Sequence, residues 1–76
     1  MTKLKVKTIF GIRLRELREE TNLSQRQLGE NLGTTKTTIN RYENDLREPE
    51  FATLIQIAKF FGVSADYLLG IKDSRN

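Results

Sequence analysis

Five side chains in the middle of the chain, Lys36, Thr37, Asn40, Arg41 and Asn44, recur at the spacing of a helix face. At about 100° per residue they fall within an arc of about 140°, opposite Ile39 and Tyr42. Each can donate a hydrogen bond, and none is acidic or apolar. Lysine and arginine suit the O6 and N7 acceptors of guanine, and asparagine suits the N6 and N7 pair of adenine. Such a face could read base edges in the major groove of double-stranded DNA. An ordinary solvated helix face carries similar residues, so the reading depends on what positions this helix.

Other chemistries are removed by composition. Cysteine and histidine are absent from the 76 residues, which excludes disulfides and the usual zinc, haem and iron–sulfur ligand sets. Ser-His and Cys-His nucleophilic catalysis go with them. Glu16, Glu19, Glu20 and Glu30 are carboxylates on solvated helix faces with no pocket implied. The expectation is a binding protein without metal or cofactor, not an enzyme. No apolar run approaches the roughly 20 residues that span a bilayer, and no apolar stretch of a signal peptide follows the first lysines. A cytoplasmic protein with no membrane contact is expected.

The formal charge of +3 is unevenly placed: residues 1–20 carry +3, residues 21–47 carry +1 and residues 48–76 carry −1. An anionic partner would therefore lie against the first two-thirds of the chain. A single domain this small buries only about 60% of its unfolded surface, so tight helix packing or a second subunit must supply stability.

A helix that reads DNA must be held firmly, and the flanking sequence supplies the means. Residues 1–8 alternate Lys3, Lys5 and Lys7 with Leu4 and Val6 and read as a mobile basic arm. From Ile9 onward, Phe10, Leu14, Leu17 and Thr21 share one face of a first helix. Ser24-Gln25-Arg26-Gln27 is a capping box opening a second helix, with Leu28 and Leu32 inward and Gly33 at its end. Thr35 caps the third helix, which runs to about Asn44. After Pro49 a fourth helix carries the stripe Phe51, Leu54, Ile57, Ala58 and Phe61 and ends at Gly62. Ser64 caps a fifth, with Val63 and Leu68 as a hydrophobic staple and Gly70 past its end, and residues 71–76 read as a frayed tail.

Two helices joined by one or two residues across 24–43 read as a helix-turn-helix. Gly33 stands where the chain turns, since glycine takes positive φ without a Cβ clash. Gly29, destabilising by roughly 1 kcal/mol inside a helix relative to alanine, marks tight crossing of the third helix over the second. Glu43 lies toward the Ile39 side and needs a partner, for which Arg18 of the first helix is placed.

Arg13-Leu14-Arg15-Glu16-Leu17-Arg18-Glu19-Glu20, Leu23-Ser24-Gln25 with Leu28, Leu32-Gly33 and Thr38-Ile39-Asn40-Arg41-Tyr42-Glu43-Asn44 form a longer pattern. Arg47-Glu48-Pro49, Ile57-Ala58-Lys59-Phe60-Phe61-Gly62-Val63-Ser64 and Asp66-Tyr67-Leu68-Leu69-Gly70 extend it. Over roughly residues 10–70 it resembles the Cro/CI-type (XRE) helix-turn-helix proteins, which include the lambda-type phage repressors. The resemblance implies that Gln25 touches both a phosphate and a base edge. It implies that Thr35, Lys36, Thr37 and Arg41 meet the groove, with Asn40 beside them. Ser24, Thr35, Asn44 and Arg47 fall at positions implied to contact the DNA backbone.

Two positions depart from the family pattern. Gly29 replaces a usual alanine. Asp45 replaces a usual glycine, which strains a left-handed position and brings negative charge near the expected phosphate path. Most members of this family bind palindromic operators as dimers, so the resemblance implies a second subunit, and Leu46 with residues 65–71 is nominated for that contact.

The expected fold is all-α: a compact five-helix bundle of the lambda-repressor-like type, its helix-turn-helix formed by the second and third helices. The divisions are a basic arm over 1–8, the DNA-binding domain over 9–70 and a tail over 71–76. The expected function is sequence-specific regulation of transcription, as a repressor and a homodimer on double-stranded DNA. The rival is a protein-interaction module, such as an antitoxin on the same scaffold, with Ile55, Phe60 and Ile71 as its working surface.

Overall fold

The chain forms five α-helices, and the computed structural model describes residues 8–76. The helices are α1 (Phe10–Glu20), α2 (Gln25–Leu32), α3 (Lys36–Glu43), α4 (Phe51–Phe61) and α5 (Ala65–Leu69). No strand forms among the described residues. Lys3, Lys5 and Lys7 of the basic arm lie outside them.

Three of the five helices start on a hydroxyl that accepts an otherwise unpaired backbone N–H. Ser24 Oγ accepts from Gln27 N at 3.0 Å, and Gln27 Oε1 accepts from Ser24 N at 2.9 Å, completing the expected capping box. Thr35 and Ser64 accept from Thr38 N at 3.2 Å and Tyr67 N at 3.0 Å.

Each helix contributes one fully buried side chain to a single core: Leu14, Leu28, Ile39, Ile57 and Leu68. Burying each of these contributes roughly 1.5–3 kcal/mol. Phe10 and Tyr42 meet edge to face at 6.0 Å between ring centres, joining the start of α1 to the end of α3. In this arrangement α3 packs on α2 and α1, while α5 packs on α1 and α4. Val63 lies partly buried against the core that holds Leu68, as the staple requires.

Two stripe residues differ from expectation. Thr21 is exposed beyond the end of α1, where its one hydroxyl proton is shared between Leu17 O and Arg18 O, carbonyls that also accept from the Thr21 and Leu23 N–H groups. Phe51 is 87% exposed, because the buried layer of α4 begins one turn later at Leu54.

Residues 71–76 also differ from a frayed tail. The Arg13 guanidinium donates to Tyr67 O and, at 2.6 Å, to Lys72 O, and pairs with Asp73 at 3.2 Å. Ser64 N donates to Arg75 O at 2.7 Å, and the Arg75 side chain pairs with Glu20 at 2.7 Å. Arg13 also lies 4.1 Å from the centre of the Tyr67 ring, a cation–π contact. The chain end is thus strapped back across α1 and α5.

Candidate nucleic-acid interface

The turn between α2 and α3 is made by Gly33 and Thr34. Gly33 has φ +71°, Thr34 N donates to Gly29 O at 2.7 Å and Gly33 N donates to Glu30 O at 3.3 Å. This pair of bonds is a Schellman ending, and it satisfies the last carbonyls of α2 while reversing the chain. A Cβ on Gly29 would lie 2.9 Å from the carbonyl carbon of Thr35 and 3.2 Å from Lys36 N. The first turn of α3 therefore crosses α2 backbone on backbone, as the glycine implied.

A second close approach was not read from the sequence. A Cβ on Gly11 would lie 2.6 Å from Tyr42 O and 2.7 Å from Glu43 O. Gly11 sits one residue after Phe10 in the first turn of α1, and this is the same signal that Gly29 carries. Glycine contacts thus seat both ends of α3.

With Ile39 and Tyr42 buried beneath it, α3 presents Lys36, Thr37, Asn40 and Arg41 to solvent, with Asn44 at its end. None of these is acidic, and the one acid of the helix is turned inward: the Glu43 side chain is 2% exposed. Arg18 Nε donates to Glu43 Oε2 at 2.6 Å and Arg18 Nη2 to Glu43 Oε1 at 3.1 Å, a two-pronged ion pair between α1 and α3. Hydrogen bonding to Glu43 raises the Arg18 pKa above its ordinary value, outweighing the opposing effect of burial. Arg18 Nη1 also donates to Leu23 O at 2.8 Å, tying in the segment before α2.

Gln25, in the first turn of α2, reaches the same carboxylate: its Nε2 donates to Glu43 Oε1 at 3.1 Å. Asn40 Nδ2 lies 3.5 Å from Gln25 Oε1. Asn44 turns its amide back, donating to Asn40 O at 2.8 Å, which leaves one N–H and its Oδ1 free. Ser24, Thr35 and Arg47 are exposed around this face. Asp45 holds φ +58°, a left-handed turn after α3 of the kind that glycine favours.

Residues 14–68 match the sequence pattern of the helix-turn-helix family. The chain belongs to that family. It is 37% identical over 61 residues to the HTH-type transcriptional regulator ImmR of Bacillus subtilis, covering 80% of this chain and 48% of that protein. It is 34% identical over 55 residues to the cryptic phage CTXphi transcriptional repressor RstR of Vibrio cholerae, covering 72% of this chain and 50% of that protein. The chain thus spans about half the length of these regulators. Among solved structures, the P22 c2 repressor protein in complex with a synthetic operator superposes with a TM-score of 0.77 at 30% identity. That match covers 83% of this chain and 96% of the repressor chain. These relatives bear out the Cro/CI-type resemblance and the lambda-repressor-like all-α fold.

Among the nominated dimer residues, Leu68 is fully buried in the core and cannot meet a second subunit, whereas Leu46 and Ile71 are 73% and 70% exposed.

Proposed function

We propose that the protein is a sequence-specific, double-stranded DNA-binding transcriptional regulator, a repressor, that inserts α3 into the major groove. The observation that carries this reading is the acid-free donor face of α3, opposite Ile39 and Tyr42 and seated on α2 by Gly29. The operator complex of the P22 c2 repressor supports it. Lys36, Thr37 and Arg41 read bases, with Asn40 and Gln25 at the edge of the contact. Ser24, Thr35, Asn44 and Arg47 position the DNA backbone, Gln25 shares that role, and the lysines of residues 1–8 add attraction to phosphate. Ser24 Oγ accepts within its cap, which leaves the hydroxyl proton to donate outward.

Two subunits would meet through Leu46 and Ile71 and place their third helices about 34 Å apart, in successive grooves of a palindromic operator. The work is binding in the cytoplasm, not catalysis. Selection of bound sequences from a random duplex pool tests DNA binding, half-site symmetry and spacing together. Arg41→Ala is then expected to weaken binding by about 1–3 kcal/mol and relax preference at one position. Unchanged binding to the selected operator would remove Arg41 from the reading face.

Phe51, Ile55 and Phe60, all exposed on α4, favour a second reading as a protein-interaction module such as an antitoxin. Copurification with a stable partner, with no duplex DNA retained at low salt, would decide for it.

A further inference from the structure

We propose that Glu43 acts through Gln25 as a positioning residue that fixes the amide orientation of Asn40, so that Asn40 reads adenine. The proposal rests on the major-groove reading above and deepens it.

The argument begins at the buried end. Glu43 is paired with Arg18 and, as a carboxylate, only accepts hydrogen bonds. Its Oε1 faces the Gln25 amide at 3.1 Å. An amide has a donating end and an accepting end, and against a carboxylate only the donating end is attractive. Gln25 is therefore held with Nε2 inward and Oε1 turned toward the exposed face of α3. Asn40 Nδ2 lies 3.5 Å from that oxygen. A flipped Asn40 would set two carbonyl oxygens against each other, so the sign imposed by Glu43 passes through two amides to the protein surface.

The outward groups of Asn40 are then its Oδ1 and its second Nδ2 proton. This acceptor–donor pair matches the N6 proton and N7 of adenine. Lys36 and Arg41 only donate, which suits guanine. One adenine position is thereby added to those read by the cationic side chains.

Glu43→Gln would strand Arg18 and threaten the fold, so the informative variant is Gln25→Met. It removes the amide, keeps the volume and leaves the Arg18–Glu43 pair in place. Gln25→Ala serves as a second variant, and circular dichroism verifies folding of each. Operators selected by the unaltered protein are varied one base pair at a time, and affinity is measured for the unaltered protein, Asn40→Ala, Arg41→Ala and both Gln25 variants.

The expected result is a preference for adenine of about tenfold at one half-site position. It falls to about twofold in Asn40→Ala and in both Gln25 variants, while the position relaxed by Arg41→Ala keeps its preference in them. A Gln25 variant that lowers affinity equally for every sequence, leaving the adenine preference intact, would overturn the relay and leave Gln25 with its backbone contact alone. An Asn40→Ala protein with all preferences intact would also overturn it, without touching the DNA-binding reading. An unaltered protein that prefers no duplex over another would remove both.

Discussion

Gly11 has no chemistry of its own, yet it decides how closely α1 approaches the end of α3. The approach is to backbone carbonyls, at 2.6 and 2.7 Å from where a Cβ would stand, and carbonyls at a helix end have little room to yield. Gly11→Ala is expected to destabilise the fold by about 1–3 kcal/mol, the usual penalty of overpacking. Urea unfolding measures it, and a stability equal to or above that of the unaltered protein would contradict the tight seat. The same displacement would move Glu43 relative to Arg18, so a weaker Arg18–Glu43 pair should accompany the loss. Arg18 belongs to this scale too: the pairing expected from the charge of Glu43 alone is present, and it is why the acid in α3 leaves the solvent-facing side of that helix clean.

Among the elements, the tail over residues 71–76 depends on charge. The Arg75 guanidinium beside Glu20 holds that carboxyl below its ordinary pKa. A lowered folded pKa means the pair contributes above the unfolded carboxylate range and fades as pH falls through the folded value. Protection of the Ser64 amide, which donates to Arg75 O, is therefore expected at pH 7 and lost only as pH falls below the ordinary carboxylate range. Glu20→Gln should lose it at pH 7, which separates this carboxylate from others that titrate in acid. Amide hydrogen exchange checks both, and a protected Ser64 amide in Glu20→Gln would show that the strap holds without this carboxylate, through Arg13 and the Arg75–Tyr67 contact. The helix starts at Ser24, Thr35 and Ser64 were legible in the sequence because a cap bonds within three residues. The strap was not, since Arg13 reaches Lys72 across 59 positions with no periodic trace. Thr21 and Phe51 were misread for a related reason: helical period continues to the ends of an element, while the neighbour that buries it does not. The exposed face of α3 was legible from spacing, but the Glu43–Gln25–Asn40 link needed the crossing of α2 and α3.

For the whole molecule, charge separates into two roles. Lys3, Lys5 and Lys7 equal the entire formal excess of +3, so residues 8–76 are formally neutral. Deleting residues 1–7 is expected to flatten the slope of log affinity against log salt by about 2–3 for each bound subunit, if all three lysines meet phosphate. An unchanged slope in a filter or fluorescence titration would make the arm a bystander. What remains after such a deletion should still discriminate among sequences, because the proposed reading face lies on α3. The two glycine seats under that helix carry a consequence for divergence. Lys36, Thr37 and Arg41 take no part in docking α3, since its ends rest on Gly29 and Gly11 and its middle on Ile39 and Tyr42. Those three positions can therefore be rewritten one at a time without repacking. On the proposed reading, a lineage built on this frame can exchange one operator for another without disturbing the core beneath α3.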